Sequence, residues 1–529
     1  MKSEAGPIAA DGTPGWKILV GSILSILVPG AGHFLVGRRR RALVFFAADL
    51  VVIAFAVWLW RKGEIGLVRL LVQPRWVRAV VAGNLLLGLW RLVAVVDLLI
   101  LERPPMRILA VVPLGSLLAL VLVVPHLLVM TRALSLLGVL ETVFPSQAVV
   151  TEAFERYRPP QTTTTTTEPM TTTRPTIPGL PPEIEPFEPT EQLVGLEGPG
   201  RELAAELGTN RVTVLLAGGD AGPGRGGLRT DTMIVASIDL QTGRGVLITI
   251  SREITGVPLP PFLRTSQGIL ERQQSIFDLA KAAEEGGYSK ATDPLPEEFD
   301  PCCWLDRINA IYPFTREYTR TYPNTSRPGM AALRDTLSYA LGVPIHYYVL
   351  VDMAGFVDLV DALGGVSVTS RESMHVRMSP AKEGDEEIVI EISPGRYRFD
   401  GRTALAYVRN RTDSNDIVRT RRQRCFVREV VGQMDLKTVI IRFDRIASAI
   451  QRHTRTDIPV EILPDLVQVV AEMDRSNIGT AAIQPGYYAD KVDYRGLPVF
   501  NQQRVKAEVK RLMEGRSSSP TAIDGSECG

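Results

Sequence analysis

Four long apolar runs in the first third of the chain constrain its fold more than any other feature. Each run is close to the ~20 residues needed to cross the hydrocarbon core of a bilayer. In a soluble protein, four such runs within about 115 residues would leave too little polar surface to face water. The sequence therefore predicts an all-α membrane region over residues 1–135, with about four spans, at Trp16–Val36, Ala42–Trp60, Val77–Leu101 and Ile108–Met130.

Charges that flank these runs predict the side of the membrane that each connection faces. The four arginines Arg38–Arg41 are expected in the cytoplasm by the positive-inside rule. Counting spans from there places everything after Thr131 outside the cell, although the basic Arg61–Arg78 connection would then also lie outside, against the rule. Pro29 and Gly30 interrupt the first run, so a re-entrant hairpin is an alternative there. We predict a multi-pass cell-membrane protein with an extracytoplasmic C-terminal domain.

Two charged residues, Arg91 and Asp97, lie inside the third apolar run. A charge at this depth is costly in lipid unless it faces other helices. We interpret the two as a structural contact within the helix bundle rather than as part of an ion pathway.

A Thr- and Pro-rich segment over residues 151–208 separates the membrane region from the rest of the chain. It has no apolar periodicity, and it cannot bury enough surface to offset the entropy of ordering. Such tracts are extended, semi-rigid spacers. We predict an extracytoplasmic linker that holds the next domain away from the membrane.

Beyond the linker, β-rich runs alternate with helical patterns over residues 209–515, and a Ser-rich tail at 516–529 is expected to be disordered. Strands mixed with helices predict an α/β domain with helices covering a sheet.

Whole-chain composition excludes several classes of function. The 59 basic and 58 acidic residues give no global field for nucleic acid, the five histidines lack zinc-ligand spacing, and four cysteines are too few for a disulfide-dense scaffold.

Two aspartates bracket a Gly-rich loop between the first two predicted strands of this domain. Asp220 closes one strand and Asp231 opens the next. If the strands pair as a hairpin, both carboxylates fall at the same edge of the sheet. Paired hard-oxygen ligands suit Mg²⁺ bound jointly with substrate phosphates. Because Asp and Gly are also ordinary turn residues, this pattern alone is weak.

An arginine-rich stretch from Arg396 to Arg428 contains ten arginines and no lysine. A helix predicted to start at Asp416 carries three of its polar residues on one face, since they lie three or four positions apart. Arginine offers a planar fork that matches phosphate oxygens, and a helix amino end favours anions. A solvated helix face is the alternative, although it would more usually mix Lys, Glu and Gln. The three residues are Arg419, Arg422 and Gln423.

These motifs together resemble the LytR-CpsA-Psr (LCP) family of bacterial envelope phosphotransferases. The resemblance rests on LLAGGD…RTDTMIVASID, GVLITISRE, ALGVPIHYYVLVDMAGFVDLVDALGGVSV and LAYVRNR…DIVRTRRQ, and it covers roughly residues 210–485. It implies an α-β-α domain with an apolar pocket for a polyprenyl chain. It also implies transfer of a glycopolymer from a polyprenyl-pyrophosphate carrier to peptidoglycan, at the membrane and without nucleic acid.

The resemblance also implies roles for individual residues. Asp220 and Asp231 match the family's Mg²⁺-binding aspartates, and Arg252 matches the arginine of its Ile-Pro-Arg-Asp motif. Two departures stand out, because Ser251 and Glu253 replace the proline and aspartate of that motif. The residues matched to pyrophosphate binding are Arg229, Arg252, Arg307 (where the family commonly has lysine), Arg409, Arg411, Arg419 and Gln423, and we add Arg422 from the same helix face.

The expected chemistry is Mg²⁺-assisted phosphoryl transfer, in which positioning and charge stabilisation dominate. Asp220, Asp231 and Glu253 are candidates for the general base, and the sequence does not choose among them. Two other functions need many of the same residues. One is a non-catalytic protein that binds lipid-linked wall intermediates, and the other is a polyprenyl-pyrophosphate hydrolase that uses water as the acceptor.

Three cysteines of the predicted extracytoplasmic domain lie where disulfides persist. We expect Cys425, on the arginine-rich helix, to pair with Cys302 or Cys303. Buried free thiols are the alternative.

Overall fold

The chain divides into two compact units, Met1–Glu141 and Thr142–Gly529. Most of the predicted linker and the whole of the 516–529 tail lie outside the described residues, as does the Gly-rich loop at 221–228. The structure, a computed structural model, describes residues 15–102, 108–146, 199–220, 229–316, 322, 325, 327–371, 373–378, 388–410, 416–433, 438, 442–486 and 488–515.

Three helices among the described residues of the first unit are long and apolar enough to cross a membrane, rather than the four predicted. They are Arg39–Arg61, Pro74–Leu98 and Leu120–Val143. The helices of this unit are α1 Gly15–Leu27, α2 Ala31–Leu35, α3 Arg39–Arg61, α4 Gly63–Leu71, α5 Pro74–Glu102 and α6 Ile108–Val143.

The first apolar run forms a hairpin of α1 and α2 instead of one continuous span. Helix α1 has 13 residues, about 20 Å of helix, which is too short for a hydrocarbon core of about 30 Å. The chain reverses at Gly30, whose φ of 95° favours glycine. Gly32 then packs against α1, and a Cβ there would lie 2.1 Å from the carbonyl oxygen of Gly21. This geometry is that of the re-entrant hairpin named above as the alternative.

The second unit is built on a six-stranded sheet with the strand order β11-β6-β1-β2-β3-β12. Strands β1, β2 and β3 are antiparallel neighbours, β6 runs parallel to β1, and β12 runs parallel to β3. The sheet consists of β1 Arg211–Gly219, β2 Thr230–Asp239, β3 Arg244–Ile250, β6 Tyr347–Asp352, β11 Thr454–Thr456 and β12 Asp474–Ile483. Four two-stranded ladders accompany it: β4 Val257–Pro258 with β5 Cys303–Trp304, β7 Val366–Ser370 with β10 Gly395–Phe399, β8 Met374–Met378 with β9 Ile388–Ile392, and β13 Lys491–Val492 with β14 Pro498–Val499.

Helices cover both faces of this sheet because its strands alternate apolar side chains between the faces. On β1, Leu215 and Ala217 join a core with the helices Gln267–Glu285, Pro328–Leu341 and Gln502–Met513. Val212 and Val214 join a second core with the helices Pro199–Leu207 and Leu463–Glu472. The predicted α/β class with α-β-α layers is therefore confirmed. The helices of this unit are α7 Pro199–Leu207, α8 Pro261–Arg264, α9 Gln267–Glu285, α10 Ile311–Thr315, α11 Pro328–Leu341, α12 Met353–Leu363, α13 Gly401–Arg409, α14 Asp416–Gln433, α15 Phe443–His453, α16 Leu463–Glu472 and α17 Gln502–Met513.

Helix α7 places the start of the folded unit before the predicted boundary at residue 209. Its residue Leu203 is buried against Val212 of the sheet, so this helix belongs to the core rather than to the linker.

The cysteine prediction is wrong. Cys302 and Cys303 are bonded to each other, so neither is available to Cys425. Adjacent cysteines need no other part of the chain to approach them. Cys425 lies buried within the helix Asp416–Gln433 and is not a free thiol.

Candidate active site

One edge of the central sheet gathers most of the predicted site residues, because of how the strands pair. Asp220 follows the last residue of β1, which pairs with Thr230 at the start of β2. The backbone N–H of Asp220 donates to the carbonyl oxygen of Arg229 at 3.0 Å, and the N–H of Arg229 donates to Asp220 Oδ1 at 2.7 Å. The predicted hairpin is therefore confirmed, with Asp220 and Asp231 at the same edge of the sheet.

The β2–β3 register brings a second pair of residues to this edge. Met233 pairs with Ile250, so Asp231 and Arg252, each two residues further toward the edge, lie opposite one another. The guanidinium of Arg252 forms an ion pair with Asp231 Oδ2, and both side chains are largely buried. The other oxygen, Asp231 Oδ1, accepts a hydrogen bond from Asn309 Nδ2 at 2.8 Å. Both oxygens of the Asp231 carboxylate are thus oriented by protein donors.

Glu253 joins the two predicted arginines of this edge. Its Oε1 lies 3.3 Å from Arg252 Nε, and its Oε2 accepts from Arg307 Nε at 2.7 Å. Asp231, Arg252, Glu253, Arg307 and Asn309 therefore form a closed ring of polar contacts, since Arg307 and Asn309 are two residues apart in the chain. We call these five residues the polar ring.

The segment that carries Arg307 and Asn309 is fixed by its own contacts. Trp304 Nε1 donates to the carbonyl oxygen of Arg307 at 2.9 Å, and the N–H of the fully buried Ile308 donates to the carbonyl oxygen of Ile254 at 2.9 Å. Burial would raise the pKa of Asp306, but hydrogen bonds from Arg272 and from the backbone N–H of Arg307 hold that pKa below its usual value. The ring is therefore attached to a rigid element.

Asn309 is the member of the ring that sequence reasoning missed. It lies two residues after Arg307, and of these two residues only Arg307 matches a family position. Asn309 is 3% exposed, and its Oδ1 has no hydrogen-bond partner among the described residues. A buried amide oxygen without a protein partner is costly unless a ligand or water satisfies it.

The arginine-rich stretch reaches the same edge through α13. Its last residue, Arg409, has Nη1 2.7 Å from Sδ of Met353, the residue that follows β6. The end of β6 pairs with the end of β1, next to Asp220. Arg411 lies outside the described residues.

Helix α14 is buried rather than solvated, which excludes the alternative of an exposed basic face. It packs against β2, β3 and β12. Arg419, Arg422 and Gln423 are 4%, 4% and 7% exposed. They share a face, as predicted from their spacing.

Two of these three residues bind the end of α13. Arg422 Nη1 donates to the carbonyl oxygens of Tyr407 and Asn410 at 3.0 and 3.1 Å, and Gln423 Nε2 donates to the carbonyl oxygen of Val408 at 3.3 Å. Cations near a helix carboxyl end satisfy its last carbonyls. These contacts give Arg422 and Gln423 a role in orienting the segment around Arg409, in addition to any role in binding phosphate.

The oxygen donors of this edge fit a Mg²⁺ ion. Asp220 and Asp231 supply carboxylates, and Asn309 Oδ1 is a third, buried oxygen beside Asp231. Mg²⁺ is usually held by one or two carboxylates together with waters and substrate phosphates. No group of three His, Cys, Asp or Glu side chains suited to a metal occurs in the described parts of the chain, so a tighter all-protein site is not formed there.

Comparison with known proteins matches each unit to a family. Residues 303–511 match the LytR_cpsA_psr family. These residues of the chain therefore form a domain that is similar to the LytR-CpsA-Psr family. The match includes Arg307 and the arginine-rich stretch, whereas Asp220, Asp231 and Arg252 precede it. Residues 20–137 match a family of unknown function, DUF6677.

Curated relatives align with part of the chain. It is 30% identical over 211 residues to the polyisoprenyl-teichoic acid–peptidoglycan teichoic acid transferase TagU of Halalkalibacterium halodurans, covering 40% of this chain and 62% of that protein. It is 30% identical over 127 residues to biofilm regulatory protein A of Streptococcus mutans, covering 24% and 30%. The alignments thus span less than two thirds of either relative. Among solved structures, B. subtilis TagV is 20% identical, with a TM-score of 0.38, over 59% of this chain and 99% of that one.

Proposed function

We propose that this protein transfers a glycopolymer from a polyprenyl-pyrophosphate carrier to peptidoglycan by Mg²⁺-assisted phosphoryl transfer. The relative TagU is named as a teichoic acid–peptidoglycan transferase, which supports the class of reaction. The observation that carries the proposal for this chain is Asp231, whose two carboxylate oxygens are oriented by Arg252 and Asn309. Binding of an anion alone would gain from this carboxylate only the orientation of Arg252, whereas a metal site gains an oxygen ligand.

In this proposal Asp220, Asp231 and the Oδ1 atom of Asn309 hold the metal. Bound Mg²⁺ would neutralise charge on the pyrophosphate as the bond to the leaving phosphate breaks. Arg252 and Arg307 lie beside these ligands and stabilise the same charge. Glu253 contacts both guanidinium groups, so we assign it the positioning of these two arginines.

The departures from the family motif support this role for Glu253. Glutamate is one methylene longer than the usual aspartate, and Arg307 stands where the family commonly has lysine. The longer carboxylate meets the arginine at 2.7 Å. We infer that the two replacements compensate for one another, because the planar arginine fork needs a carboxylate in its own plane.

We further propose that the LCP domain is extracytoplasmic. Arg38–Arg41 lie at the start of the first of three candidate spans, so an odd number of crossings from a cytoplasmic start leaves the following domain outside. Protease added to intact spheroplasts should then cut the linker near residues 160–190 and release a soluble fragment. Full protection of that fragment would contradict this topology.

The function is tested by incubating the full chain in detergent with a lipid-linked oligosaccharide and peptidoglycan fragments, followed by mass spectrometry. The proposal predicts ligated peptidoglycan together with released polyprenyl phosphate. Free oligosaccharide phosphate without ligated product would indicate the hydrolase alternative. Binding of the lipid with neither product would indicate the non-catalytic alternative.

A further inference from the structure

The first unit contains a cluster of polar side chains in the middle of its candidate spans. Asp49 lies on α3, Asn84 and Arg91 lie on α5, and His126 lies on α6. Asn84 and Arg91 are seven residues apart and so share a face of α5. Ionisable residues at such a depth usually mark a pathway or a binding site, because lipid does not solvate them.

Hydrogen bonds between α5 and α6 determine which ring nitrogen of His126 carries the proton. Asn84 Nδ2 donates to the backbone carbonyl oxygen of His126 at 2.9 Å. The Asn84 Oδ1 atom then faces His126 Nδ1 at 2.8 Å and accepts a hydrogen bond from it. With its proton on Nδ1, the neutral imidazole presents a lone pair on Nε2.

Three buried atoms of the cluster have no hydrogen-bond partner among the described residues. They are Asp49 Oδ2, Arg91 Nε and His126 Nε2, that is, two acceptors and one donor. Arg91 also interacts electrostatically with both Asp49 and His126. A water molecule can donate twice and accept once, so it complements this set of atoms.

The net charge of the cluster indicates which kind of ion it can bind. The formal charges of one carboxylate and one guanidinium sum to zero, and a neutral imidazole adds none. An anionic lipid headgroup would need an excess of cations, and a divalent metal would need more than one carboxylate. A proton needs only an acceptor atom at each step, and His126 Nε2 and Asp49 Oδ2 are two such acceptors.

Further titratable groups lie at both ends of α5. Asp97 accepts from Arg41 Nη1 at 2.6 Å and lies 3.0 Å from Nε2 of the fully buried His33. Near the other end, Arg78 Nη2 donates to Glu141 Oε1 at 2.6 Å. Along α5, the successive residues Arg78, Asn84, Arg91 and Asp97 are six or seven positions apart, about 9–10 Å of helix.

We propose that the membrane unit carries protons across the bilayer, with His126 and Asp49 as the proton-binding groups in its core. A proton adds to the Nε2 lone pair of His126 and forms an imidazolium. It then passes through water to the Asp49 carboxylate, which restores the lone pair on Nε2. Asp49 then releases the proton to water, which restores the carboxylate. No electron moves, and the proton gradient supplies the driving force. This function is independent of the transferase proposal, and it replaces the structural interpretation given above for Arg91.

The test uses the full chain reconstituted in phosphatidylglycerol–phosphatidylethanolamine vesicles with a trapped pH-sensitive dye. A potassium diffusion potential drives proton entry. The wild type should acidify the vesicle lumen several-fold faster than protein-free vesicles do. Asp49→Asn and His126→Gln should return the rate to that of protein-free vesicles, while Asp49→Glu, which keeps the carboxylate, should retain most of it.

Glu64→Gln is the matched control, because Glu64 is an exposed carboxylate on α4 of the same unit, outside the cluster. Its proton flux should equal that of the wild type. All variants must elute as a single species in detergent with unchanged melting temperature. Wild-type flux no faster than that of empty vesicles would overturn the proposal. A folded Asp49→Asn variant with wild-type flux would overturn it as well.

Discussion

Replacing Asn309 by leucine separates a structural role of this residue from a functional one. Leucine keeps the size of the side chain but removes both its donor and its acceptor. Loss of the 2.8 Å hydrogen bond to the Asp231 carboxylate destabilises the fold by about 1.5–3 kcal/mol. Loss of the buried, unpartnered Oδ1 stabilises it by about 1–3 kcal/mol. We expect the two effects to cancel to within about 2 kcal/mol.

Transfer activity should respond differently to the same change. A residue that orients a metal ligand contributes about 10–100-fold in activity, and each tenfold corresponds to about 1.4 kcal/mol. Asn309 both orients Asp231 and offers an oxygen of its own. We therefore expect Asn309→Leu to lower the rate of transfer by about 100-fold, the upper end of this range. Urea denaturation gives the free energy of unfolding, and the product assay by mass spectrometry gives the rate.

Gln273→Leu is the matched control for this experiment. Gln273 is also a fully buried amide with one bonded and one unpartnered atom, since its Oε1 accepts from the N–H of Leu305 at 2.6 Å. It lies outside the polar ring, so its replacement should change stability by a similarly small amount and leave the rate of transfer unchanged. An Asn309→Leu variant that loses stability but keeps wild-type transfer would refute the functional role of Asn309.

Three further predictions concern the helices and the sheet around the site. Arg422→Gln should lower the free energy of unfolding in urea by about 2–3 kcal/mol, because a buried guanidinium donates to two carbonyls there; an unchanged stability would contradict this role. Arg411→Lys should lose most transfer, since the lysine point charge lacks the bidentate fork, and wild-type activity would show that charge suffices. Burial lowers the pKa of His346 to about 4, and its Nδ1 accepts from a backbone N–H, so stability should fall by up to about 3 kcal/mol as the pH drops from 6.5 toward 4. His346→Gln should flatten that pH profile, whereas the same change at the exposed His375 should not.

The strands and the sheet-edge aspartates could be predicted because their signals are local. Apolar β-rich runs of the right length predict β1, β2 and β3, and the turn residues between the first two predict the hairpin. Strand β12 escaped prediction although it forms one side of the central sheet. Its sequence, Asp474–Ile483, is rich in Gly, Ala and Ser, so burial against β3 rather than propensity makes it a strand.

Partners that lie far apart in sequence were harder to predict. Asn309 meets Asp231 across 78 residues, and no periodicity or motif announces that contact. Arg91 and Asp97 lie in the same apolar run, and the sequence does not show their partners. In the structure, Asp97 forms hydrogen bonds with His33 and Arg41. Such pairings depend on how whole helices pack, which the local pattern does not encode.

The central claim is that Asp231 holds a metal needed for transfer. The most direct test compares the full-length wild type with Asp231→Asn, which removes the charge and nearly preserves the shape. Transfer of lipid-linked oligosaccharide to peptidoglycan fragments is followed with Mg²⁺ and after chelation with EDTA. Asp239→Asn is the control, because Asp239 lies at the opposite end of β2, paired with Arg211 at 2.8 Å.

We predict that chelation abolishes transfer by the wild type and that added Mg²⁺ restores it. Asp231→Asn should stay inactive at any Mg²⁺ concentration, and it should lose the rise in melting temperature that Mg²⁺ and polyprenyl pyrophosphate together give the wild type. Asp239→Asn should behave as the wild type in both measurements. Full transfer by Asp231→Asn, together with full transfer by the wild type in EDTA, would contradict the metal site and leave only the arginines as the basis for binding pyrophosphate.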